Sequence, residues 1–427
     1  MSDSHTALPR TLILLVVAFV FVTGLQVSQA DDSPSVSTSS REGRLIVFDD
    51  VWETIQERYY DPSFHGVDWQ AKRSTFRPLA ADAVSEQEFY EVLRQMIVSL
   101  RDPHTRVYSP EEKFDWWNPK FVTVGATIRE VEGQPTVVYV TPNSAAARAQ
   151  LRAGDVITAV NKIPAQQLIN QRLKALNLAL DEPDRLRATA TLLEGSDGSS
   201  VSLTWVSEKG ETKTATLRRS WTEKRLGFQI TRSGNLAIIK VEVFTAETSR
   251  ELVRALPKAL HNASGIVLDL RANGGGDAQA MAEVASAFFA QGLDLGNFTD
   301  RAGVSFALQT QLLSALPPQK QTRLRMVVLT SEGTSSAAEI LAAALQKTSR
   351  ARVVGTQTCG CVLAIRNRHE LPDGGILDVS ELDYRTAEGA RLEGIGVNPD
   401  AVQVMHRKDL YKGRDAQLMY AEKLLKR

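Results

Sequence analysis

From Leu45 onward the apolar residues Leu45, Phe48, Val51, Ile55 and Tyr59 recur at the spacing of one helix face. A second helix is expected from Ser85, where Ser85 and Glu88 form a capping-box pattern ahead of Phe89, Val92, Met96 and Leu100, and Asp102-Pro103 ends it. After residue 119 the pattern changes to short strand-like runs (Val122–Ile128, Thr136–Val140, Val156–Val160, Thr189–Leu193, Val201–Val206, Thr212–Leu217) separated by Gly, Asp and Asn turns. From Gly227 it changes again. Strands at Leu236–Phe244, Gly265–Leu270, Met326–Thr330 and Arg352–Gly355 alternate with helical stretches around 247–261, 277–290 and 334–346. That alternation favours a sheet covered by helices. The chain therefore reads as a multi-domain α/β protein: an N-terminal helical domain at 42–118, an inserted β-rich domain at 119–219, an α/β core at 220–405 and a C-terminal helix at 406–427.

The first forty residues follow a different logic. Arg10 precedes an apolar run from Leu12 to Val22, and Val27-Ser28-Gln29-Ala30 puts small residues where a signal peptidase reads. Residues 1–30 are expected to be a signal peptide, with a Ser- and Asp-rich linker at 31–41. The other reading is an uncleaved anchor associated with the membrane. Both place the working domains outside the cytoplasm, in the periplasm or secreted. Lys plus Arg and Asp plus Glu each total 50 in 427 residues, so nothing favours nucleic acid, and a peptide or protein partner suits the neutral balance better. Six His and two Cys show no zinc-cage spacing, so neither a metal nor an organic cofactor is expected. In an oxidising compartment, Cys359-Gly360-Cys361 offers each cysteine the other as its sole protein partner.

Three segments carry candidate chemistry. Leu268-Asp269-Leu270-Arg271-Ala272-Asn273-Gly274-Gly275-Gly276 is a buried strand running into glycines, where backbone N–H groups can approach a developing oxyanion. Val327-Val328-Leu329-Thr330-Ser331-Glu332-Gly333-Thr334-Ser335-Ser336-Ala337-Ala338-Glu339-Ile340 takes a strand through a small-residue turn into a helix, setting a serine at the positive end of the helix dipole. From that segment alone an ordinary helix cap reads equally well. Ser144–Ile157, a short helix, Gly154-Asp155 and a strand completed by Asn161, resembles the signature of PDZ domains, which bind a peptide C-terminus by strand addition. The loop implied to hold the terminal carboxylate is Val124-Gly125-Ala126-Thr127.

Taken in order, the helical domain, the PDZ module, "DLR-x-N-x-GG", "S-S-A-A-E-I" and Gly394-Ile395-Gly396-Val397-Asn398-Pro399-Asp400 resemble the C-terminal processing, or tail-specific, serine peptidases. The resemblance implies Ser336 as nucleophile, with Ser335 as its local competitor. It implies oxyanion donors at Gly275 or Gly276 and at Ala337. The family's usual Lys base is absent, because Cys361 stands at its position. A thiol is a poor base there, and a bridge to Cys359 or a structural thiol fits better than a catalytic one. The related tricorn-like peptidases use Ser, His and Glu, and His104 and Glu393 occupy the matching positions. The resulting expectation is an exported endopeptidase acting through an acyl-enzyme on unfolded or C-terminally exposed polypeptides, with an adaptor or a homo-oligomer left open. The alternative is an inactive relative that only binds peptides.

Overall fold

The computed structural model describes residues 36–112, 120–175, 182–223, 227–289, 292–311 and 324–426. The expected signal peptide at 1–30 lies outside the described residues. Among the described residues no helix is long and apolar enough to cross a membrane. Order begins before the end of the expected linker, because Thr38 is already buried and Val36 packs against the first core.

Helix α1 (Arg41–Arg58) starts where the Ser40 side chain accepts the Gly43 N–H, and it buries Val47, Phe48, Val51, Trp52 and Ile55. Helix α2 (Trp69–Asp82), capped by Asp68, was not expected: its buried face consists of Trp69, Ala80 and Ala81, and Pro78 interrupts the pattern. The two helices are tied by Trp52 and Trp69, each indole N–H donating to the other's carbonyl. Helix α3 (Glu86–Val98) is capped by Ser85 as expected, although Glu88 reaches back to the Val84 N–H, one residue before the cap. This domain does not close on itself. Strand β1 (Arg106–Tyr108) pairs antiparallel with Ile376–Asp378 of the core, and Leu371, Leu377 and Val379 complete its hydrophobic centre.

The inserted domain runs β2 (Lys120–Thr123), β3 (Ala126–Val131), β4 (Gln134–Val140), α4 (Ala145–Arg148), β5 (Val156–Val160), β6 (Ile163–Pro164), α5 (Ala165–Ala175), α6 (Glu182–Ala190), β7 (Ser200–Val206), β8 (Thr212–Arg218) and β9 (Ser220–Glu223). Its sheet has the order β3-β4-β5-β7-β8 with β6 on β5, while β2 and β9 pair as a separate ribbon where the chain enters and leaves. The strand expected at Thr189–Leu193 is instead the end of α6 and a 3-10 turn at Thr191–Leu193. Ala188, Leu192 and Leu193 are apolar enough for a strand, but they pack with Ile169 and Leu173 of α5 as one side of a helical layer.

The core opens with β10 (Phe228–Ser233) and β11 (Leu236–Val241), followed by α7 (Ala246–Ala259), β12 (Gly265–Asp269) and α8 (Ala278–Ser286). A second sheet then starts with β13 (Asp294–Asp300) and β14 (Ser305–Gln309), before β15 (Arg325–Thr330), α9 (Ala337–Lys347) and β16 (Arg352–Gly355) return to the first. The remaining elements are β17 (Ala364–Ile365), β18 (His369–Glu370), β19 (Ile376–Asp378), β20 (Ser380–Arg385), β21 (Ala401–Val402), α10 (Arg407–Tyr411) and α11 (Ala416–Lys426). The main sheet has the order β10-β11-β12-β15-β16-β21, parallel from β11 onward. Helices α7, α8 and α9 cover one face, and α11 covers the other with Ala421 and Leu425 against Val267, Val327 and Val354. The expected C-terminal helix is thus two helices, broken at Gly413 (φ 61°). The topology matters for chemistry because β12 and β15 are parallel neighbours, so their carboxyl ends deliver the glycine run and the serine turn side by side.

Candidate active site

The turn after β15 is held by side chains spaced along its own sequence. Thr334 Oγ1 accepts the Ser331 N–H and donates to the Leu270 carbonyl, while Ser331 Oγ donates to the Arg271 carbonyl. The Ser335 N–H reaches the Asn273 carbonyl. These bonds bind the serine turn to the end of β12 and leave Ser336 at the start of α9 with φ 56° and ψ −128°. A non-glycine residue in that region is strained by about 1–3 kcal/mol, so the surroundings must enforce it. They do: the Ser336 N–H is shared by the Cys361 carbonyl at 2.8 Å and a Glu339 carboxylate oxygen at 3.1 Å.

The glycines sit against this residue. A Cβ on Gly275 would lie 2.6 Å from Ser336 Cβ and 3.1 Å from its Oγ, so only glycine fits there, and its φ of 99° requires the same. Gly276 (φ 126°) backs onto the Phe244 carbonyl in the same way. Of the expected oxyanion donors, the Gly275 N–H is turned toward Asn273 Oδ1 at 2.8 Å. The Gly276 and Ala337 amides have no acceptor among the described residues.

Glu339 is wholly buried, and sequence reading used it only to locate the serine. Its carboxylate accepts the N–H groups of Gly360 at 2.7 Å, Cys361 at 2.9 Å and Ser336 at 3.1 Å, and the Thr358 hydroxyl. Burial pushes its pKa up, and those four donors oppose the shift. Backbone donors leave no mark in a sequence; the one available signal was an apolar helix carrying a single acid in its first turn. Glu393 is built alike: it accepts the Val362 N–H at 2.6 Å and the Leu363 N–H at 3.1 Å. Burial, reinforced by the nearby Asp102 and Glu339 charges, pushes it up to about 7.

His104 stands on the turn after α3. Asp102 accepts its backbone N–H at 2.8 Å and faces its Nδ1 at 3.8 Å, and the Asp102 carboxylate also accepts the Thr105 hydroxyl. Thr105 in turn accepts the Ser380 N–H at 3.0 Å, which fixes the turn on β20. Asp102 lies within electrostatic range of Glu393, and Glu393 holds the segment whose Cys361 carbonyl holds Ser336. Glu393 thus connects the segment that anchors Ser336 with the charge of Asp102, the residue that bonds the His104 backbone. Cys361 is bridged to Cys359, so its sulfur carries no proton to exchange. Among the described residues no cluster of His, Cys, Asp and Glu could hold a metal ion.

In the inserted domain, Gly125 (φ 84°) packs on Ser144 with no room for a side chain. The Val124 and Gly125 carbonyls are taken by Ala146 and Thr141, and the Gly125 N–H by Thr123 Oγ1. Ala126 and Thr127 begin β3, which pairs with β4 along one edge and with no other named strand. Across the domain boundary, Arg129 of β3 meets Glu332 of the serine turn at 2.8 Å.

Comparison with known proteins agrees with this architecture. Residues 235–403 match peptidase family S41, residues 41–98 the tricorn protease C1 domain and residues 136–173 the PDZ domain. A carboxyl-terminal-processing protease of Picosynechococcus sp. is 30% identical over 383 residues, covering 84% of this chain and 84% of that protein. The chloroplastic carboxyl-terminal-processing peptidase 2 of Arabidopsis thaliana is 28% identical, covering 90% of this chain and 73% of its own. Among solved structures, the photosystem II D1 C-terminal processing protease aligns over 84% of this chain and 93% of its own, with a TM-score of 0.56 and 25% identity. Mature CPAF complexed with lactacystin shares the fold at a TM-score of 0.70 and 14% identity, over 90% of this chain and 98% of its own. A helical domain, a PDZ module and an α/β core with a strained serine beside two glycines come together here, and with these matches the chain belongs to the carboxyl-terminal-processing proteases of peptidase family S41 and is a serine-type peptidase.

Proposed function

We propose that the protein is an exported endopeptidase that takes polypeptide C-termini on its PDZ domain and cleaves through an acyl-enzyme on Ser336. His104 removes the serine proton, and Glu393 holds the imidazole tautomer and balances the imidazolium. The amides of Ala337 and Gly276 receive the oxyanion, with Gly275 joining them when substrate displaces its bond to Asn273. The loop Val124-Gly125-Ala126-Thr127 receives the terminal carboxylate, and the peptide behind it adds as a strand along the open edge of β3. The observation that carries the reading is the backbone of Ser336, held at φ 56° with its N–H anchored and Gly275 pressed against its Cβ. Such geometry is maintained at sites where a side chain must point outward from a turn.

The test is cleavage of an unfolded polypeptide by the mature chain alongside Ser336→Ala, His104→Ala and Cys361→Ala. Loss below detection in the first two, with residual turnover in the third, which opens the Cys359–Cys361 bridge but leaves Ser336, His104 and Glu393 in the chain, supports the Ser–His–Glu assignment. An inert wild type that still binds peptide C-termini would establish the silent binding protein instead. The pH profile is a second check. Ionised Glu393 and neutral His104 are both required, so turnover rises through about pH 6–7 and is lost below it.

A further inference from the structure

Cys359, Gly360 and Cys361 bond to the serine turn, to Glu339 and to the segment that follows Glu393. The Cys359 N–H donates to the Thr334 carbonyl at 2.9 Å, which anchors the serine turn. The Gly360 carbonyl accepts the Gly394 N–H at 2.7 Å, directly after Glu393, while the Gly360 N–H goes to Glu339. The Cys361 carbonyl receives the Ser336 N–H, its own N–H joins Glu339, and the next two amides bind Glu393. A disulfide spans these three residues, with Cα atoms 5.2 Å apart, and Gly360 has φ 70°. Without that constraint the tripeptide has a wide choice of conformations, because its central residue is glycine.

A ring this short removes little entropy from the unfolded chain, so the bridge contributes little to global stability. Its effect is local, on the seven hydrogen bonds just described. Accessibility is unequal: Cys361 is buried, whereas Cys359 is partly exposed.

We propose that Cys359–Cys361 is a thiol–disulfide exchange site whose oxidation state sets catalytic competence, with a dithiol reductant as its reaction partner. The inference rests on Ser336 acting as the peptidase nucleophile. One thiolate of the reductant attacks the Cys359 sulfur, forms a mixed disulfide and expels Cys361 as a thiolate, which takes a proton. The second thiol of the reductant then displaces Cys359. The bridge gains two electrons and two protons, and the reductant leaves as a disulfide. The opened tripeptide loosens the Cys361 carbonyl from Ser336 and the 362–363 amides from Glu393. Oxidised chain cleaves; reduced chain is slow.

The test uses the full mature chain, oxidised or treated with dithiothreitol, with free thiols counted by alkylation and mass. Reduction is expected to lower kcat by about tenfold or more, with KM within about twofold, because misplacing a catalytic group by an ångström acts on turnover. Reoxidation restores the rate. The Cys359→Ser/Cys361→Ser double variant is expected to be slow and indifferent to dithiothreitol, with an unchanged far-UV spectrum. Amide exchange at Gly360, Cys361, Val362 and Leu363 should quicken on reduction. A fully reduced chain with unchanged or higher turnover overturns the proposal. If the oxidised chain cleaves nothing, the peptidase reading fails separately, and unchanged amide exchange between the two redox states then overturns the role given to the bridge.

Discussion

The serine turn and the PDZ edge solve opposite problems. Around Ser336 the groups that hold the turn, from Thr334, Ser331, Asn273, Glu339 and Cys361, have fixed internal partners and frame the two open amides of Gly276 and Ala337. Along β3 one side of the strand has no strand partner among the described residues, and Arg129 is a side-chain contact to the core at partial exposure. Preorganised amides stabilise charge only if they do not move when it develops. An incoming peptide, by contrast, needs backbone groups that are still available. The core therefore spends its polar groups on rigidity, and the inserted domain withholds them for a ligand.

That contrast can be broken in order of effect. Ser336→Ala, and separately His104→Ala, should lower kcat by at least about a thousandfold, while affinity for a peptide ending in a free carboxylate, read by calorimetry, stays unchanged. Gly275→Ala forces a Cβ to 2.6 Å from Ser336 Cβ at a φ of 99°. A loss of about a hundredfold in kcat is expected, as for removal of one oxyanion donor, again with peptide affinity intact. Glu393→Gln should lower turnover, leave only the part of its pH dependence that His104 sets, and also change stability. The wild-type pKa is raised to about 7, above the unfolded value. Its contribution to stability is therefore full in acid and is lost as pH climbs through 7. Wild type should lose on the order of 2 kcal/mol against the Gln variant between pH 5 and 8, seen in parallel melting curves. Gly125→Ala, at φ 84° and against Ser144, should act on the other region alone. KM for C-terminally exposed substrates rises about tenfold, with kcat at saturation nearly unchanged.

Legibility in the sequence followed the same divide between local and distant determinants. The serine turn stood out because a hydrophobic strand, small residues and an apolar helix are consecutive, and the resemblance then selected Ser336 within it. The glycines at 275 and 276 follow a buried strand in the same way. Capping at Ser85 and the Gly154-Asp155 turn are local too. Helices α2 and α6 were missed because their apolar stripes are thin, and in α2 Pro78 obscures the period. The second sheet, β13, β14, β20 and β17, escaped notice because its strands mix charged and apolar residues on both faces. His104 and Glu393 were placed by resemblance alone. Nothing local says that a turn after α3 meets a strand past residue 375, since that contact depends on how the whole chain closes.

That closure has a temporal meaning. The turn bearing His104 is seated by Ser380, 275 residues later than Thr105, and β1 has no partner until β19 exists. Pairings this far apart form late in folding. A chain emerging amino-terminus first, or cut short before that point, holds its imidazole on a segment with nothing to rest on. On the proposed mechanism, an incomplete copy would lack a seated base for its serine.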